Sequence, residues 1–263
     1  MPLRKVDQAA EVFAKNLDTV LGELEKKVYD VLGKAKLLHD RFDAATLLNS
    51  RGEMLQAIRD AGYNDIASQH VAKYPGIVDA VKADFNAKDL PAVKFGSVAA
   101  ETFTNIAKAD LEMFTAIGTK AVDDLRLELY RHAVSSRPMS DMVETIRAAT
   151  VGSTKQARSS KTGELLRRKD GELFKRSPLE RYSYTHANTA VLDFAKAVTR
   201  EAGVELGAKE WEVIGVLDDV TRDECVAALD NPVRTQEEWE NIGYWGEGKR
   251  FNCRHTLYPY FGD

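Results

Sequence analysis

A helical stripe dominates the start of the chain. Val6, Ala10, Phe13, Leu17, Val20, Leu24, Val28 and Val31 recur in steps of three and four, with Lys, Glu and Asp between them. That period belongs to an α-helix with one wet face, and at ~1.5 Å per residue a helix over 5–33 is roughly 40 Å long. Such a stripe does not stay in water. It needs partner helices, either the chain's own next ones or those of a neighbouring subunit.

The same period continues with interruptions. Residues 36–92 predict shorter helices, stopped by the turn signals "AGYND" and "KYPG", with Gly62 and Pro75–Gly76 as breakers. A second long helix is expected over 98–133, with Phe103, Ile106, Leu111, Phe114, Ile117, Ala121, Leu125 and Leu129 on one side. "SSRPMSDMVETIR" reads as a loop and then a helix to about Ala149, with Ser140 as N-cap and Glu144 in the first turn. A helix over 178–202 has Pro178 in its first turn and Gly203 just past its end; Leu179, Tyr182, Ala187, Ala190, Val191, Phe194 and Val198 form its buried face.

The remainder changes character. "KEWEVIGVL" at 209–217 is the clearest strand. "TRDECVAALD" at 221–230 is a short helix with Thr221 and Glu224 as a capping box, and Pro232 ends it. "EEWENIGYWGEGKRFNC" and "TLYPYF" read as a turn and short strand-like pieces. The fold class is therefore mainly α with a small α+β C-terminal domain and an elongated helical N-terminal half. The division expected is 1–134 as a helical module and oligomer-docking region, and 135–263 as the second domain, with a basic arm at 151–178.

That arm stands out by charge. Lys155, Arg158, Lys161, Arg167, Arg168, Lys169, Lys175 and Arg176 face three acids, an excess of five positive charges, among frequent Gly and Ser. It reads either as a solvated linker or as a contact to phosphates or an acidic protein surface. The whole chain carries −4, which excludes a strongly basic nucleic-acid binder without excluding a local contact. With 44% apolar residues in 263, a real core can form. No apolar run approaches the ~20 residues of a membrane span. The start, "MPLRKVDQAAEVFAKNL", lacks an apolar signal-peptide core, so synthesis in a reducing cytoplasm is expected, where cysteines stand more often as thiols or ligands than as bridges.

Both cysteines lie near the C-terminus, in "DDVTRDECVAALDN" and "KRFNCRHTLYPYF". Cys225, Cys253 and His255, with Asp218 or Asp219, offer enough donors for a tetrahedral zinc. The spacing argues against it, because the only close pair is Cys253 and His255, and paired ligands from one turn are missing. A cysteine nucleophile with His255 as base is conceivable, but there is no glycine-rich oxyanion loop. Phosphate-loop, dinucleotide and zinc-deaminase patterns are absent. The reading preferred is a structural clasp. Cys225 and Cys253 tie the last strand to the helix at 221–230, and Arg222, Arg254 and His255 face Asp218 and Asp219. Whether the sulfurs are thiols, a disulfide or metal-bound stays open. No enzymatic activity and no cofactor are expected.

From about "SSRPMSDMVETIR" to "NCRH" the chain resembles the phage head morphogenesis family, the Mu F-like minor head proteins. The helix "RYSYTHANTAVLDFAKAVTREAG" is similar to a family helix in which Arg-Thr-Glu commonly stands where this chain has Tyr184, Thr185 and His186, a departure from the pattern. "WEVIGVLDDVTRDEC" is similar to its order of Trp, Asp and Arg-x-x-Cys, and "FNCRH" to its Asn-Cys-Arg-His ending. The resemblance implies a minor capsid protein of a tailed bacteriophage, made in the host cytoplasm and held in several copies inside the capsid at the portal vertex. It also implies the portal protein as partner, with packaged DNA and the major capsid protein as further ones, and a role in head assembly, DNA packaging or ejection. The alternatives are a DNA-contacting internal virion protein and a metal-dependent enzyme built on the terminal Cys/His cluster.

Overall fold

The structure is a computed structural model that describes residues 3–34, 37–38, 41–88, 90–135, 139–152, 176–215, 217, 221–244 and 255–262. Its elements run α1 (Leu3–Gly33), β1 (Leu37–Leu38), β2 (Arg41–Phe42), α2 (Ala44–Asn49), α3 (Arg51–Asp60), α4 (Tyr63–Val71), α5 (Tyr74–Asn86), α6 (Ser97–Val134), α7 (Met139–Thr150) and α8 (Pro178–Glu205). There follow β3 (Glu210–Ile214), α9 (Asp223–Asp230), β4 (Val233–Thr235), α10 (Gln236–Asn241) and β5 (Thr256–Tyr260). The protein is mainly helical with a small three-stranded antiparallel sheet near the C-terminus, as the periodicities predict. Among the described residues no helix is long and apolar enough to cross a membrane.

Contacts divide the chain into two compact units, one from 1–10, 70–110 and 187–263, the other from 11–69 and 111–186. Each draws on chain from both sides of residue 134.

The second unit buries most of the stripe on α1. Phe13, Leu17, Val20, Leu24 and Val28 are all at most 5% exposed within this single chain. Each large apolar side chain so buried contributes about 1.5–3 kcal/mol. Phe13 meets Phe114 of α6 at 5.0 Å between ring centres, and Phe114 in turn meets His186 edge-on at 4.5 Å. The stripe's partners are thus the chain's own helices, and no neighbouring subunit is needed to cover it. Tyr63 of α4 lies against Gly118 of α6, where a Cβ would fall 3.0 Å from Tyr63 Cε1. Its hydroxyl shares a 2.6 Å hydrogen bond with Ser183 of α8. Arg51 forks onto Asp123 at 2.7 and 3.0 Å, and Arg126 donates to the Leu48 carbonyl at 2.9 Å, fixing α2 and α3 along α6.

The first unit is built on α5, the start of α6 and most of α8. Tyr74, Ile77, Val81 and Phe85 line one face of α5 and pack with Phe103, Val191, Phe194, Val198 and Tyr258. Tyr74 stacks on Phe194 at 4.1 Å and donates to Asp110 at 2.6 Å; Tyr258 lies 5.2 Å from Phe85 and donates to Asp84 at 3.0 Å. Burial and the adjoining carboxylates push both phenols well above their usual range. The sheet orders β4-β3-β5, with Trp211 opposite Arg234 on one side and Pro259 on the other. Pro259 is tolerated because β5 is an edge strand.

Several local expectations shift. Helix α7 begins at Met139, so Ser140 lies inside the first turn and is not the N-cap. Helix α8 runs through Gly203 to Glu205 and is ended by Gly207, whose φ of +76° suits a residue without a Cβ. Gly203 serves close packing instead. A Cβ there would sit 2.8 Å from both Pro259 Cβ and Trp211 Cζ3. Tyr182, expected on the buried face of α8, is 53% exposed. "QEEWEN" is a helix and not a strand-like piece.

A candidate structural clasp at the C-terminal sheet

Helix α9 starts at Asp223 with Arg222 at the cap position, so Glu224 is its second residue and the box expected from Thr221 is out of register by one. The capping box forms at the next helix instead. Thr235 Oγ1 accepts from the Glu238 backbone N–H at 3.3 Å, and a Glu238 carboxylate oxygen accepts from the Thr235 N–H at 2.8 Å. These donors hold the Glu238 carboxyl below its ordinary pKa. "TQEE" carries the same spacing as "TRDE". Only the position of the first helical turn tells the two apart.

Both short helices pack on β3. Trp211, Val213, Cys225, Ala228, Trp239 and Tyr244 form one small core, with Leu257 of β5 against it. Trp239 is fully buried and donates its indole N–H to the Trp211 carbonyl at 2.8 Å, while its ring lies 5.1 Å from that of Tyr244. Arg234 lays its guanidinium over the Trp239 ring at 5.2 Å. Cys225 is 1% exposed, and the Tyr244 hydroxyl points toward its sulfur at 4.0 Å. Successive residues of β5 face opposite ways, so Leu257 joins this core while Tyr258 belongs to the helical one.

His255 stands just before β5 and is 5% exposed. Its ring lies on the backbone of Gly215, where a Cβ would come within 2.7 Å of Cγ and 2.9 Å of Nε2. Of the residues expected to form the clasp, Arg222, Cys225 and His255 are thus placed at the sheet and its flanking helix. Asp218, Asp219, Cys253 and Arg254 lie outside the described residues. Among the described residues no group of three or more His, Cys, Asp or Glu side chains converges as a metal site would require.

Of the basic arm, Lys155, Arg158, Lys161, Arg167, Arg168, Lys169 and Lys175 also lie outside the described residues. Arg176 is described. It reaches Glu180 at 3.7 Å and lies over the Tyr184 ring at 5.1 Å. The chain on either side of the arm meets itself. Gly152 (φ +87°) abuts the backbone of Arg176 and Ser177, where a Cβ would lie 2.7 Å from Ser177 N. Ser177 then caps α8, accepting from the Glu180 N–H at 3.0 Å.

The sequence reading missed the pairing of glycines with rings, Gly215 under His255 and Gly203 under Trp211. It also missed the Glu205 carboxylate, which accepts from the backbone N–H groups of Lys94 and Phe95 at 2.8 Å each. No local signal marks such pairs, since their members lie far apart in the chain. No protein-family model, curated protein or solved structure matches this chain.

Proposed function

We propose that this protein is a non-enzymatic minor capsid component of a tailed bacteriophage, docked on the portal at the vertex of the head. One observation carries the reading. Trp211 and Cys225, which bear the resemblance to the head morphogenesis family, share a single small core, and His255 packs at the end of the same central strand. Of the cysteine and histidine side chains that could do chemistry there, the two described are packed as scaffold: Cys225 and His255 are 1% and 5% exposed. Side chains so enclosed give the sheet a fixed shape for docking and offer little access to a substrate. The stripe on α1, which taken alone would serve as a docking face, is consumed by intramolecular packing. Docking therefore falls to other surfaces. Co-expression with the portal protein of the same genome, followed by affinity capture and sedimentation, tests the reading. A stable complex that survives moderate salt is expected. A chain that sediments alone beside an assembled portal ring would overturn it.

A further inference from the structure

We propose that Arg181 and Tyr182, in the first turns of α8, grip the phosphodiester backbone of a nucleic acid. Portal docking is a separate matter, and either proposal stands without the other.

Tyr182 is 53% exposed, although Leu179 and Ser183 on the same turns of α8 are at most 1% exposed. Arg181 curls over it, with the guanidinium carbon 4.9 Å from the ring centre and Nη2 donating to the tyrosine hydroxyl at 3.2 Å. That bond has a consequence for the hydroxyl. Its oxygen accepts from the arginine, so its own proton points elsewhere and is available to an outside acceptor. Arg181 keeps further N–H donors on the same fork. Among the described residues it makes no ion pair, whereas Arg51, Arg126, Arg131, Arg147, Arg176 and Arg200 each lie within 4 Å of a carboxylate. The pair thus presents one full positive charge and two kinds of donor, which suits an oxygen-rich anion.

The acid next to the pair in sequence is already engaged. Glu180 is engaged by Arg176 at 3.7 Å. On α6, Lys120 holds Asp124 at 2.8 Å. The sequence leading into α8 carries five excess positive charges over 151–178, in a chain whose total is −4. Such a local field steers a polyanion toward this end of the helix. A nucleic acid fits better than an acidic protein surface. Its charges recur at about one per 1.7 Å of duplex and it offers only acceptors at its backbone, so both donors of the pair are used.

Fluorescence anisotropy of the full chain with a short labelled duplex and with a thymidine homopolymer, across a range of salt, tests this. Binding to both is expected, because the contact reads backbone and not bases. Arg181→Gln should weaken binding about tenfold at low salt and lower the slope of log K against log[salt] by about one. Tyr182→Phe should weaken it about threefold with the slope unchanged, since a neutral donor releases no counterion. Both side chains are exposed, so thermal unfolding should be unaltered in either variant. Absence of binding by the wild type, an unchanged slope in Arg181→Gln, or displacement of DNA by polyglutamate at equal charge would each overturn the proposal; the last would assign the surface to an acidic protein.

Discussion

The imidazole of His255 rests directly on the peptide backbone of Gly215, with no room for a β-carbon between them. This contact joins the residue before β5 to the residue after β3, the two strands that share the longest ladder of the sheet. Gly215→Ala should therefore act as overpacking, destabilising the protein by about 1–3 kcal/mol in urea unfolding. His255→Ala should restore much of that loss in the double variant, because it removes the atoms that collide. Additive effects of the two changes would show that the ring does not sit where the structure places it.

Glycines within helices divide sharply by what they face. Gly22 of α1 has nothing within 4 Å of its missing Cβ, so Gly22→Ala should stabilise by about 0.5–1 kcal/mol through helix propensity alone. Gly203→Ala has the same propensity gain, yet its methyl would meet Trp211 and Pro259 at van der Waals-violating distances. It should destabilise by about 1–3 kcal/mol. Opposite signs in thermal denaturation check the argument.

The hydrogen bond between Tyr63 and Ser183 lies in the interior, with both residues at most 1% exposed. Burial raises the Tyr63 phenol's pKa well above the usual range, so it stays neutral at any physiological pH. Ser183→Ala leaves a buried hydroxyl without its partner and should cost about 1–3 kcal/mol. Adding Tyr63→Phe should recover part of that cost, and a double-mutant cycle by denaturant unfolding measures the coupling.

Phe95 sits at φ 55°, unusual for a residue with a side chain, and the turn is held by the two bonds that the Lys94 and Phe95 N–H groups donate to Glu205. Glu205→Ala should loosen this turn, costing about 1 kcal/mol because the carboxylate is exposed. Faster proteolytic cleavage near Lys94 in native conditions is the expected signature. Unchanged cleavage would mean that the packing of Phe95 on Phe103, at 5.1 Å, suffices without the carboxylate.

The capping box at Thr235 gives an acid dependence of defined sign. The Glu238 carboxyl has a lowered pKa in the folded protein, so its contribution is present above its ordinary value of 4.5 and is lost as pH falls through the lowered one. Wild type and Glu238→Gln should therefore differ in stability at neutral pH and converge on acidification below pH 4.5. Thr235→Ala should cost about 1 kcal/mol at neutral pH through loss of the N-cap. Circular dichroism melts across the acid range check both.

Periodicity alone determined the long helices and the central strand, though not the short helix at Gln236–Asn241. The α1 stripe, the faces of α6 and α8, and the alternation in "EWEVI" are local, because each residue's burial follows from its neighbours three, four or two positions away. The candidate site was legible only in part. Cys225 and His255 attract notice by residue type, but their roles depend on Tyr244, Trp211 and Gly215, which come from other elements. Tertiary structure alone decided that "TQEE" caps a helix while "TRDE" does not, that Tyr182 faces out, and that α1 is satisfied by its own chain. The reason is physical. Helical period and strand alternation are short-range and written in the order of residues, whereas the fit of a ring to a glycine, or of a stripe to its cover, is set by elements that meet only when the chain has folded.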